Sequence, residues 1–199
     1  GVNRISIGVQ SFNQAELSFL GRRHSVESSS VAVHNAQDAG FENISIDLIY
    51  GIPGSTLQTW EHSLSVAENL NPQHFSCYHL TYEGNTPLTR RLRKGLFTAL
   101  DEELSLGQFE LLRSFAQSKG YLHYEVSNFA KEGFISRHNS SYWLGEEYLG
   151  LGPAAHSYNG AVRQWNPYSL ERWEDGIKNN SPNIEMESLS AVSKYNELL

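Results

Sequence analysis

The chain has one cysteine, Cys77, and one methionine, Met186, among its 199 residues. A lone cysteine excludes an internal disulfide framework and suits a reducing compartment. It also excludes a metal site that takes two or more thiolates from this chain. Basic residues are in deficit, with 15 Lys and Arg against 22 Asp and Glu and a formal net charge of −7. A field of that sign repels phosphate backbones. The only basic cluster, RRLRKG at 90–95, reads as the end of a short helix, so nucleic acid is not an expected partner. No apolar run approaches the roughly 20 residues of a membrane span, and no charged-then-apolar leader opens the sequence; the expected location is cytoplasmic. The first residue is Gly1 rather than methionine, which predicts a piece of a longer chain.

What is present alternates between strand and helix signals. RISIGV (4–9), ISIDLIY (44–50), HFSCYHL (74–80) and YLHYEV (121–126) are β-branched or aromatic runs. Between them lie NQAELSFLG, then 25–40 with Gly40 as a helix stop, then 56–70, and then 100–120, closed by Gly120. In 56–70, Leu57, Trp60, Leu64, Ala67 and Leu70 recur at three- and four-residue steps, an amphipathic helix. Strands separated by helical crossovers predict an α/β fold with a parallel sheet, open or closed into part of a barrel. From 127 to 167 the sequence turns irregular and aromatic, and helical character returns at 168–177 and 186–199.

The polar residues inside this pattern are the informative ones. Strands of a parallel sheet are buried on both faces and should be apolar, yet Asp47 stands in the middle of ISIDLIY. A buried carboxylate needs partners. Asp47 either bridges neighbouring amides or points into a cavity to accept a ligand's hydroxyl or amine. Ligands of α/β folds lie beyond the carboxyl ends of the strands, where YGIPGST supplies two glycines. Gln10 follows the first strand in the same way, and Arg22 and Arg23 read by themselves as solvated surface. Tyr78 and His79 fall on opposite faces by strand alternation, so at most one faces a site. Cys77 reads as a small buried hydrophobe rather than a nucleophile. Farther on, RHNSSYW (137–143) places His138 with Tyr142, and Asn139 with Trp143, on shared helix faces. This is either a packed aromatic corner or a grip for a flat ligand.

Taken in order, GVNRISIGVQSFN, LGRRH, ISIDLIYGIPGST, HFSCYHLTYE, YEVSNFA, SRHNSSYW and YLGLGPAAHSY resemble consecutive motifs of the oxygen-independent coproporphyrinogen III oxidase-like radical SAM family. The resemblance covers essentially the whole chain. It implies the second half of a partial (β/α)6 barrel over 1–126. An irregular aromatic and glycine-rich segment over 127–165 and the start of a mainly helical C-terminal domain over 166–199 complete the implied organisation. The implied cofactors are S-adenosylmethionine and a [4Fe–4S] cluster, whose three cysteine ligands lie upstream in relatives and are absent here. The piece by itself is therefore expected to be inactive in radical chemistry.

By the same resemblance Gln10, Arg22 and Asp47 correspond to side chains that contact S-adenosylmethionine. Tyr78 to Thr81 and the loop at Ala155–His156 correspond to adenine- and backbone-contacting positions. His138, Asn139, Tyr142 and Trp143 complete the H-N-x-x-Y-W signature of a branch that resembles heme chaperones, in which the motif is associated with heme binding. Histidine ligates iron through a ring nitrogen, and Tyr and Trp offer flat apolar surface to a porphyrin. The expectation is heme binding and delivery to a recipient protein. The alternative is oxidative decarboxylation of coproporphyrinogen III to protoporphyrinogen IX. A barrel without its first strands leaves an open edge, through which the chain is expected to self-associate.

Overall fold

In the computed structural model, residues 1–84 and 86–196 are described. They form two compact units, Gly1–Ile135 and Ser136–Leu199.

In the first unit, strand β1 (Ile5–Gln10) is followed by helices α1 (Gln14–Phe19) and α2 (Val26–Asp38) and then by β2 (Ile44–Tyr50). Helix α3 (Leu57–Asn69) leads to β3 (His74–His79), and α4 (Pro87–Arg93) and α5 (Glu102–Ser118) follow. Side chains start these helices where the sequence offers them. Asn13 accepts from the amides of Ala15 and Glu16 ahead of α1, and Ser25 with Ser28 and Thr56 with Thr59 form reciprocal capping boxes at α2 and α3. β1, β2 and β3 pair in parallel.

The expected fourth parallel strand takes a different place. β4 (Leu122–Glu125) turns back at once into β5 (Asn128–Ala130), which lies antiparallel to both β3 and β4, giving the order β1-β2-β3-β5-β4. Two connecting residues cannot make the long crossover that parallel pairing requires. The Glu125 carboxylate ties the reversal by accepting from the Ser127 amide (3.1 Å) and from the Asn128 side-chain amide.

One face of this sheet carries the core. Val9, Ile46, Leu48, Phe75, Cys77 and Phe129 pack against Val33 of α2, Trp60 and Leu64 of α3, and Leu112 of α5. Alternation sends the intervening residues to the other face. Register aligns them in rows, Ser6 with Ser45 and His74, and Asp47 with Ser76 and Asn128. The sheet is thus apolar toward its helices and polar on the opposite side.

The second unit holds α6 (Arg137–Trp143), β6 (His156–Tyr158), β7 (Val162–Trp165), α7 (Leu170–Lys178), β8 (Glu185–Ser188) and α8 (Ala191–Asn196). Its strands form an antiparallel sheet in the order β6-β7-β8. This sheet corrects the reading of 127–167 as irregular and of 186–199 as helical throughout. The Asn159–Gly160 turn between β6 and β7 is a hairpin signal in its own right. Asn159 Oδ1 accepts there from the amides of Ala161 (3.1 Å) and Val162 (2.8 Å).

Candidate functional site

The polar face of the first unit centres on Asp47. Its carboxylate is half-buried and accepts a hydrogen bond from Ser6 Oγ at 2.8 Å. No main-chain donor reaches it among the described residues, so this carboxylate is not consumed in bracing the strands. Deeper on the same face Ser45 Oγ lies 2.7 Å from His74 Nδ1, and His74 Nε2 lies 2.8 Å from the Tyr124 hydroxyl. Burial, reinforced by the charge of Arg4, drives the His74 pKa down to about 3, so the ring is neutral. Burial likewise pulls Arg4 below the usual guanidinium range, while Tyr124 and Asp47 oppose that shift. Arg4 is anchored by hydrogen bonds to Asn43 Oδ1 and to the Phe134 carbonyl. Ser6, His74, Tyr124 and Arg4 were absent from the sequence reading. Strand alternation would have placed Ser6, Ser45 and His74 on the same face as Asp47.

Gln10 ends β1 with φ of +72° at a register irregularity. Its side chain folds back over Gly8, where a Cβ would sit 2.6 Å from Gln10 Nε2 and push that amide aside. Arg22 is exposed, and its backbone amide closes the turn after α1 onto the Leu17 carbonyl at 2.9 Å. Tyr78, 45% exposed, and Thr81 line a cleft of about 490 Å³ at the strand tips together with Ile49, Leu80 and Ser127. His79 borders the same cleft, but its ring is turned to α5, with Nε2 2.6 Å from Ser105 Oγ. Beside it Gly51 has φ of +76°, and a Cβ there would meet His79 Nε2 at 2.6 Å. The Gly51 amide donates to buried Gln108 Oε1 at 2.8 Å, and Gln108 Nε2 donates to Ser55 Oγ at 2.8 Å. One glutamine of α5 thereby latches the loop that follows β2.

In the second unit Ser136 caps α6 by accepting from the Asn139 amide. The i, i+4 spacing brings His138 and Tyr142 edge to face, with ring centroids 5.0 Å apart and His138 Nε2 3.4 Å from the Tyr142 hydroxyl. Tyr142 in turn meets Tyr148 edge-on at 4.9 Å. Tyr142 and Arg163 belong to the walls of two clefts. One, of about 600 Å³, is lined also by Tyr148, His156, Trp165, Tyr168, Glu185 and Glu187. The other, of about 490 Å³, includes Trp143, Tyr158 and Lys194. His156 lies flat on Trp165 at 5.5 Å and 24°. Trp165 Nε1 donates to Glu185 at 3.2 Å, and Arg163 pairs with Glu187 at 3.1 Å. Tyr148, Arg163 and Trp165 were also missed by the sequence reading, because their relation to Tyr142 depends on the hairpin.

Residues 1–67 match the radical SAM superfamily model. The chain is 39% identical to the heme chaperone HemW of Bacillus subtilis over 177 residues, which is 89% of this chain and 47% of that protein. It is 41% identical to the Lactococcus lactis heme chaperone HemW over 165 residues, 83% of this chain and 44% of that protein. Together these matches are consistent with a radical SAM protein of the HemN/HemW type. It spans a little under half the length of these HemW proteins. The mitochondrial radical S-adenosyl methionine domain-containing protein 1 of Mus musculus is 38% identical over 156 residues, 78% of this chain and 35% of that protein. Among solved structures, Escherichia coli coproporphyrinogen III oxidase HemN, described as a radical SAM enzyme, superposes with a TM-score of 0.77. At 22% identity, over 94% of this chain and 45% of that one, this likeness establishes the fold.

A radical SAM protein of the HemN/HemW type implies S-adenosylmethionine and a [4Fe–4S] cluster. The residues present do not fit the cluster. Cys77 is the one thiol, it lies in the core at 2% exposure, and burial, aided by the charge of Asp47, raises its pKa above the ordinary thiol range. Such a thiol stays protonated, whereas a cluster needs thiolates. The polar face does fit a hydroxyl-rich ligand, because Asp47 retains lone pairs and Ser6 holds its orientation. No helix among the described residues is long and apolar enough to cross a membrane.

Proposed function

We propose that the intact protein is a heme chaperone on a radical SAM scaffold, holding heme at its second unit and S-adenosylmethionine along the polar face of its first. The observation that carries this reading is the position of Tyr142. It belongs to the H-N-x-x-Y-W helix and forms part of the wall of two aromatic clefts. The kinship with heme chaperones supports the same assignment. In this account Tyr142 and Trp143 offer flat faces to the macrocycle, and His138 and Asn139 set the geometry of the helix around them. Lys194 supplies positive charge for carboxylate substituents, and Arg163, paired with Glu187, borders the same cleft.

At the first unit, S-adenosylmethionine supplies radical chemistry when bound beside a cluster held elsewhere. This chain's own contribution is orientation. Asp47 accepts from hydroxyls, Gln10 and Arg22 serve polar ends of the cofactor, and Tyr78 and Thr81 border its ring. A heme-recipient protein in the cytoplasm is the partner this reading requires. For the chain as given, a second copy pairing along the outer edge of β1 is the proposed self-association, which light scattering after size exclusion checks.

The test is heme titration of the intact protein, with stoichiometric uptake expected and its absence overturning the reading. The alternative, conversion of coproporphyrinogen III to protoporphyrinogen IX, rests on likeness of fold. Anaerobic turnover with the reconstituted intact protein separates the two, and formation of product would favour the oxidase.

A further inference from the structure

The histidine of the H-N-x-x-Y-W helix stands exposed, outside the walls of both aromatic clefts. His138 Nε2 is turned toward the Tyr142 hydroxyl at 3.4 Å. His156 is differently situated. It lines the cleft of about 600 Å³ together with Tyr142, Tyr148 and Trp165, a size within the roughly 300–1,000 Å³ of ligand sites. Its ring is stacked on Trp165 at 5.5 Å and 24°, which fixes the plane of the imidazole while leaving both nitrogens at its edge. Among the described residues neither nitrogen has a hydrogen-bond partner. The stack is itself held, because Trp165 donates to Glu185 at 3.2 Å from the facing strand β8. The Glu187 carboxylate is paired with Arg163, so both acidic groups in the cleft wall already have partners. Iron in a tetrapyrrole needs one or two axial ligands from the protein, and a neutral imidazole nitrogen is the commonest.

We infer that His156, rather than His138, presents the ligating nitrogen to the iron of a tetrapyrrole held in this cleft, and that His138 is a positioning residue acting through Tyr142. This inference rests on the heme reading above, and it moves His156 out of the S-adenosylmethionine site to which the resemblance assigns its loop. Tyr142, held edge-on by His138 on one side and by Tyr148 at 4.9 Å on the other, then forms a rigid wall against the macrocycle.

The experiment is heme titration of the intact protein and its variants, recording the Soret spectrum and the ferric EPR signal. His156→Ala is expected to lose the histidine-ligated signature and to recover it when free imidazole is added. His156→Gln, which keeps the side-chain volume, should show the same loss should the alanine variant fold poorly. His138→Ala is expected to keep the signature of the parent while binding about tenfold more weakly, as loss of an orienting partner does. His138→Gln, which restores a hydrogen-bonding group for Tyr142, should recover the affinity. The inference is overturned if His138→Ala loses the signature and imidazole restores it there. It is equally overturned if both His156 variants keep the parent spectrum, and either result leaves heme binding itself intact. Failure of the unsubstituted protein to take up heme would overturn the heme reading together with this inference.

Discussion

Every buried apolar side chain among the described residues lies in the first unit, between Val9 and Ala130, whereas the buried residues of the second are Ser136, Ser157 and Gly176. The first unit is organised by a continuous apolar cluster that joins three helices to one sheet face. The second is organised by caps, a hairpin and aromatic contacts, and it leaves Tyr142, Trp143, Leu144 and Tyr168 exposed. On the reading proposed above, these side chains are the ones that meet the ligand. The comparison teaches that scaffold and grip are built by different physics. One unit buries a large part of its apolar residues against each other, and the other leaves its large apolar side chains partly or wholly exposed.

The largest expected effect is on the core. Phe75→Ala should cost about 3–5 kcal/mol of stability in denaturant unfolding, because Phe75 is fully buried against Tyr121 and Phe115. Trp143→Ala in the second unit should stay within about 0.5 kcal/mol. Equal losses at the two positions would break the comparison. Next comes the buried latch of α5. Gln108→Ala strands the Gly51 amide and should cost about 1–3 kcal/mol, read by the same unfolding curves; an unchanged midpoint would remove the latch from the account.

The third effect depends on pH. His74 has its folded pKa depressed to about 3 from the ordinary 6.5, so below pH 6.5 the unfolded chain takes up a proton that the folded chain refuses. Stability is fully present above pH 6.5 and is lost as pH falls toward 3, at up to about 1.4 kcal/mol per pH unit. His74→Gln should flatten unfolding profiles in that window and leave them unchanged above it. The smallest effect is Ser6→Ala, which frees Asp47 from its hydrogen bond and should alter stability by about 1 kcal/mol or less. Its test is S-adenosylmethionine affinity by calorimetry in the intact protein, where a weaker affinity is expected and an unchanged one would detach Ser6 from the site.

The same division explains what could be read before any coordinates. β2 and α3 were legible because burial imposes periodicity. ISIDLIY alternates around a core face, and Trp60, Leu64 and Ala67 recur on one helical stripe. Asp47 stood out because a strand of a parallel sheet is expected to be apolar on both faces. β5 was not legible, since three residues carry too little periodicity and its place beside β3 depends on the Glu125 turn. The β6-β7-β8 sheet was hidden because its strands are short and largely solvent-facing. No hydrophobic alternation is needed where no face is buried, and the Asn159–Gly160 signal was the one local clue. The partnership of Tyr142 with Trp165 and His156 followed from that sheet, so it too was beyond reach of spacing alone.

The central claim is that the exposed aromatic surface of the second unit is a heme site. Its most direct test is equilibrium titration of the intact protein with heme, followed by Soret absorbance, beside the Tyr142→Ala/Trp143→Ala double variant. Saturable stoichiometric uptake by the parent is predicted, with affinity weakened about tenfold or more in the double variant and unfolding stability nearly unchanged. Uptake by the double variant as tight as that of the parent would contradict the account.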